Sequence, residues 1–181
     1  TMERAVEPLR DDPRFMTWMS RLESPFFGAG TGAFVTLIIQ SSSATVGMVI
    51  TLAKKGLLSL TAGIAVMLGA ELGTCADTLL AAIKGNRQAL KTGLFHLFFN
   101  VGTILLGLLL FPWFIKLVTA ISGQASLEQK VANAHMLFNS IGVLVFLPFI
   151  GMVERILNRL LPDKISKVKN EVTGIPISTG K

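Results

Sequence analysis

The sequence is poor in charge, in cysteine and in histidine. Only 15% of its 181 residues are charged, against roughly a quarter in a typical soluble domain. It holds one cysteine, Cys75, and two histidines, His96 and His135. A single cysteine excludes an intrachain disulfide, and with two histidines it leaves too few ligands for a Cys/His zinc centre. No P-loop, dinucleotide fingerprint or nucleophile–base pattern is present, which argues against an enzyme. No cleavable leader is visible at the start.

The charge is missing in blocks. Residues 26–53 carry none, 56–83 only Glu71 and Asp77, and 92–115 and 131–153 none. A helix crosses a hydrocarbon core with about 20 apolar residues, and a soluble helix of that length would show a charged face. The sequence therefore reads as an all-α, multi-pass integral membrane protein of the plasma membrane (the inner membrane in a bacterium). Its net charge of +6 fits cationic loops beside anionic lipid rather than nucleic acid.

Three regions follow. Residues 1–25 read as an amphipathic interfacial helix or a linker, with Phe15, Met16, Trp18, Met19 and Leu22 at near-helical spacing. Residues 26–153 form the transmembrane region, in units 26–53, 57–83, 92–111 and 131–150, with a short apolar piece at 113–121. Residues 154–181 read as a basic, largely disordered tail. Lysine and arginine placement leaves the topology open. With four simple spans, one side collects 13 cationic residues and the other only Lys54, Lys55, Lys116 and Lys130. With 26–53 as a re-entrant hairpin, the split is eight against nine.

Polar residues inside the apolar runs carry the chemistry. Gln40-Ser41-Ser42-Ser43-Ala44-Thr45 sits in the middle of the first run. Successive helical residues point about 100° apart, so three serines cannot share one helical seam. They can face one ligand where the backbone turns. Hydroxyls donate and accept, and free carbonyls accept, so such a break can hold an anion and a small cation.

Gly69-Ala-Glu-Leu-Gly-Thr-Cys75 follows similar logic: its glycines allow a helix break or a close helix contact. Glu71 is an intramembrane carboxylate and a functional candidate by default, as a sodium ligand, a proton carrier or a partner of a cation elsewhere. Asp77 lies nearer Lys84 and reads as interfacial. His96/Asn100 and His135/Asn139 are i, i+4 pairs in an internal echo, His-x-x-Phe-Asn. Hydrogen bonding between helices explains them better than ligand contact.

From Pro8 to Phe149 the chain resembles the type II sodium/phosphate cotransporter family. The resemblance rests on Gln40–Gly47 (QSSSATVG), on Gly69–Thr74 (GAELGT, where the family has Gly-Ala-Asn-Ile-Gly-Thr) and on Ala132–Asn139 (ANAHMLFN). It implies sodium-driven phosphate transport by one repeat, the second, of an inverted-repeat transporter, with a re-entrant helical hairpin and broken transmembrane helices. It also implies phosphate and sodium contacts from Gln40, Ser41, Ser42, Ser43, Thr45 and a Gly73-Thr74 turn.

The sodium set would be Gln40, Ser42, Ser43 and Glu71, with Asn100, His135 and Asn139 in support. No cofactor is implied beyond sodium as coupling ion. The expected partners are the bilayer and a missing first repeat or a second copy. Glu71 departs from the family asparagine and puts the coupling ion in question. The rival readings are a proton-coupled or other-anion transporter of the same build, and a non-transporting membrane assembly or regulatory module.

Overall fold

The computed structural model describes residues 7–83 and 85–162. Within them all regular structure is helical. Eight α-helices follow in order: α1 (Pro13–Arg21), α2 (Pro25–Ile39), α3 (Ser42–Lys54), α4 (Leu60–Ile83), α5 (Arg87–Leu109), α6 (Phe111–Ser122), α7 (Leu127–Phe146) and α8 (Ile150–Leu160). Three stretches are long and apolar enough to cross a membrane: Leu60–Leu80 in α4, all of α5, and Leu127–Leu160 through α7 and α8. With the outward-facing Phe34, Ile38, Leu105, Leu109 and Leu144, this describes an integral multi-pass membrane protein.

Local sequence explains the boundaries. Asp12 caps α1, its carboxylate accepting from the Arg14 and Phe15 amides, and Pro13 fits the first helical turn because it has no N–H to leave unpaired. Helix α1 has no buried residue and keeps Met16 and Trp18 exposed. It meets α2 at 110°. Asn86 caps α5 through the Ala89 amide, Pro112 opens α6, and Pro148 lies in a 3₁₀ turn between α7 and α8.

Helix α4 is the axis of the bundle. Every residue from Ala62 to Glu71 is buried. Ile64, Met67 and Leu68 pack with Ile104 of α5, Phe114 and Val118 of α6, and Ala134 and Phe138 of α7. A Cβ on Gly28 would lie 2.5 Å from Ala65, and Cβ atoms on Gly32 and Gly69 would strike the carbonyls of Val66 and Ala29. The contacts ascend together, so α2 and α4 run parallel with backbones touching. Such small-residue seams let helices approach where lipid offers no hydrophobic drive.

Helix α3 returns antiparallel to α2. Thr45 meets Thr36 near the turn, while Ala53 shares a core with Leu22 and Leu58 at the open end. Helices α2 and α3 are therefore a hairpin closed at Gln40-Ser41.

Two expectations need correction. The break expected around Gly69–Thr74 does not exist, because α4 is continuous from Leu60 to Ile83. The two glycines serve the other purpose, close contact with α2. The third unit also starts before residue 92: α5 begins at Arg87, and Lys91 is 7% exposed, donating to Asn158 Oδ1 of α8 at 2.7 Å. Helix α8 takes in residues 154–160 of the expected tail. Residues 163–181 and the Asp77 side chain lie outside the described residues.

Candidate functional site

The hairpin tip is built by a mismatch between the chain and a single helix. Helix α2 ends at Gln40, whose φ of 60° is the only positive value on a non-glycine residue among the described residues. A left-handed side-chain-bearing residue costs roughly 1–2 kcal/mol, so the turn is held by its surroundings. Ser41 is extended and caps α3, its Oγ accepting from the Ala44 amide at 3.2 Å. Thr36 Oγ1 donates to Thr45 Oγ1 at 2.8 Å, and Thr45 Oγ1 donates to the Ser41 carbonyl at 3.2 Å. Both threonines are fully buried. This relay ties the end of α2 to the start of α3.

Its electrostatics follow from the helix ends. Helix α3 starts with the Ser42 and Ser43 amides free of intrahelical partners, and α2 ends with its last carbonyls free. One turn thus presents a positive helix end and a negative one side by side. Gln40 and Ser43 are exposed, and Ser41 and Ser42 are half-buried. The arrangement can accept an anion on the α3 side and a small cation among the oxygens.

Helix α4 passes this tip at Gly73. A Cβ there would lie 2.5 Å from Thr36 Cβ, so Gly73 is pressed against the threonine relay. Thr74 is half-buried and donates to its own helix, to Ala70 O at 3.4 Å. The expected Gly73-Thr74 turn is therefore a helical contact face.

Glu71 lies between Gly69 and Gly73, short of the tip and turned away from α2. At 100° per residue, Gly69 and Gly73 facing α2 leave Glu71 on the opposite side of α4. There His135 Nε2 of α7 lies 2.8 Å from Glu71 Oε1, and the Glu71 side chain is 11% exposed. One turn on, Asn100 Nδ2 of α5 donates to the buried Cys75 Sγ at 3.2 Å and lies 2.8 Å from His96 Nε2. Asn139 bonds back to His135 O at 3.0 Å.

The two His-x-x-Phe-Asn motifs thus grip one face of α4 at Glu71 and Cys75, an i, i+4 pair. Among the described residues no hydrogen bond joins either motif to the serines. Thr36 had no obvious signal in the sequence beyond its place nine residues before Thr45 across the turn.

A model of the Na+/Pi-cotransporter family matches residues 1–156. The chain belongs to that family. YqeW of Bacillus subtilis (strain 168) is 35% identical over 135 residues, 74% of this chain and 43% of YqeW. YjbB of Escherichia coli (strain K12), named provisionally as an inorganic phosphate export protein, is 29% identical over 74% of this chain and 24% of its own length. The rabbit (Oryctolagus cuniculus) sodium-dependent phosphate transport protein 2A is 33% identical over 53% of this chain and 15% of its own length. The chain therefore spans less than half the length of these relatives. No solved structure matches it. That family is one of transporters rather than of enzymes.

Proposed function

We propose that this chain is one repeat of an inverted-repeat transporter that moves inorganic phosphate coupled to sodium. The carrying observation is the interrupted hairpin: in a chain of this family, Gln40 and Ser41 separate α2 from α3 and leave Ser42 and Ser43 at a free helix N-terminus. Phosphate crossing a membrane must exchange its water for fixed donors, and amides and hydroxyls at a helix N-terminus supply them. Sodium offsets the anion's charge and takes oxygens, which the carbonyl end of α2, the serine hydroxyls and the Gln40 amide offer. Gln40, Ser41, Ser42 and Ser43 are the binding residues, with Thr45 and Gly73 holding the tip in shape.

In this reading α2 and α3 enter and leave on one side, and α4, α5 and α7 cross. The relatives' names support the cargo: one is a sodium-dependent phosphate transport protein and one is named for phosphate export. Glu71, where the family resemblance has asparagine, favours a second reading in which the driving ion differs. Its carboxylate is largely buried within the bundle and is already matched by His135. Replacing sodium with choline separates the two readings.

The test is thermal stability of the purified chain in lipid nanodiscs with phosphate, in sodium and in choline. A ligand at 100 times its Kd adds about 2.7 kcal/mol to the folded state. Stabilisation that needs both ions and vanishes in Ser42→Ala supports the site. Stabilisation unchanged in Ser42→Ala refutes it, and none under any ion favours a non-transporting module.

A further inference from the structure

One carboxylate inside the bundle is matched by a single imidazole. The Glu71 side chain is 11% exposed, and His135 Nε2 of α7 lies 2.8 Å from its Oε1. Among the described residues no other side chain is bonded to that carboxylate. The titratable groups on the surrounding faces lie elsewhere. Helix α4 adds the buried Cys75, and further along it the sequence has Asp77. Helix α5 adds His96, and its Lys91 bonds Asn158. Helix α2 has no titratable side chain. Lys54 and Lys55 close α3 at the end away from the turn, Lys116 is exposed on α6, and Glu128 and Lys130 stand at the start of α7.

The proton on His135 therefore sets the charge of the pair. An ionised carboxylate only accepts, so Nε2 donates to it in the neutral ring and in the imidazolium alike. Nδ1 is the nitrogen that gains or loses a proton. It lies on the open side of the ring: the side chain is 30% exposed, and no buried side-chain nitrogen or oxygen among the described residues lacks a partner. With Nδ1 protonated the pair is neutral overall. Without that proton one carboxylate charge stays inside a membrane-spanning bundle, where an uncompensated charge is costly.

His96, in the same motif, is set the other way. Asn100 Nδ2, a donor, lies 2.8 Å from its Nε2, so that nitrogen accepts and the ring is neutral.

We propose that Glu71 and His135 form a proton-binding site, separate from the serine turn, and that the proton on His135 Nδ1 favours phosphate at the turn. The direct contact at 2.8 Å leaves no room for a metal ion between the two atoms. Among the described residues no group of three or more His, Cys, Asp or Glu side chains could hold one. Histidine is the side chain that changes charge in the neutral range. In the step itself Nδ1 takes a proton from water and no other bond breaks. An uncompensated carboxylate repels a phosphate anion in the same low-dielectric bundle, and the proton removes that repulsion. Coupling between two sites is reciprocal, so phosphate at the turn holds the proton on His135. The coupling rests on the function proposed above; the proton site does not.

The experiment is nitrogen NMR of the chain in lipid nanodiscs, with isotope-labelled histidine, which separates a ring nitrogen that carries a proton from one that does not. The sequence has only two histidines, and His96→Gln assigns them. On acidification from roughly pH 8 to pH 5, His135 should pass from a ring with a proton on Nε2 alone to a doubly protonated one. His96 should show a bare Nε2 at the alkaline end. Glu71→Gln, whose amide donates as well as accepts, should let the Nδ1–H tautomer of His135 appear. At the midpoint of the titration and fixed pH, sodium phosphate should raise the doubly protonated fraction above that in sodium chloride. A fivefold coupling takes it from half to about four-fifths.

A His135 ring with its neutral proton on Nδ1, or with no change of charge across that range, overturns the proton site. A titration that phosphate leaves unmoved, in a chain that phosphate stabilises against heat, overturns the coupling. The expected titration in a chain that phosphate does not stabilise upholds the proton site and refutes the phosphate reading instead.

Discussion

Gly69→Ala adds one methyl group where α4 meets α2. The new Cβ would strike the Ala29 carbonyl oxygen, with the carbonyl carbon at 2.5 Å and Cα at 2.7 Å. All three are backbone atoms, so no side chain can swing aside and the helices must separate. Overpacking of this kind costs about 1–3 kcal/mol, with backbone obstruction at the upper end. Alanine returns about 1 kcal/mol of helix propensity, leaving a net loss of about 2 kcal/mol. Gly30, also on α2, has nothing within 4 Å of its Cβ position. Gly30→Ala should therefore be neutral or stabilising by up to about 1 kcal/mol. Thermal unfolding of both variants in the same detergent reads the contrast. At about 2–4 °C per kcal/mol for a chain of this size, Gly69→Ala should melt about 4–8 °C lower and Gly30→Ala no lower. Equal melting of the two variants would refute the backbone seam.

Three further outcomes are expected. Thr45→Val breaks the relay from Thr36 to the Ser41 carbonyl and should cost about 1 kcal/mol, while Thr36→Val/Thr45→Val should cost less than the sum of the single changes because no buried hydroxyl is left without a partner; strict additivity in thermal unfolding would deny the coupling. Glu71→Gln keeps an acceptor for His135 and removes a carboxylate from within the bundle, so on the proposed function the sodium dependence of phosphate uptake should change while the fold persists; an identical sodium curve would make Glu71 a scaffold residue. Asn100→Leu removes the donor to Cys75 and should loosen α5 from α4, seen as faster thiol labelling of Cys75; an unchanged labelling rate would rule that out.

The sequence makes the membrane class and a helix break within Gln40–Ser43 legible, because absent charge and clustered serines are local signals. The state of Gly69–Thr74 is not local. Two glycines four residues apart suit a break or a close contact equally, and only the backbone of Ala29 and Ala33 across the seam decides for contact. Glu71 announces itself as an intramembrane carboxylate, yet its partner His135 is 64 residues away, and no periodicity links the two. Lys91 falls outside the unit read as 92–111 because its charge ends the apolar run, and lysine is rarely buried. Its acceptor Asn158 stands on α8, in a stretch that composition alone reads as the beginning of a tail.

The two faces of α4 connect these elements mechanically. One face carries Gly69 and Gly73 against α2 and the threonine relay. The other carries Glu71 and Cys75, bonded to α7 and α5 through His135 and Asn100. Helix α4 is continuous through this level, with no break between the two faces. Glu71, bonded to His135 of α7, and Gly73, pressed against Thr36 of α2, therefore stand two residues apart on one unbroken helix. The repeated His-x-x-Phe-Asn motifs make sense on these terms. Among the described residues neither is bonded to the serines, and each holds the helix on which the serine turn rests, through Cys75 and Glu71.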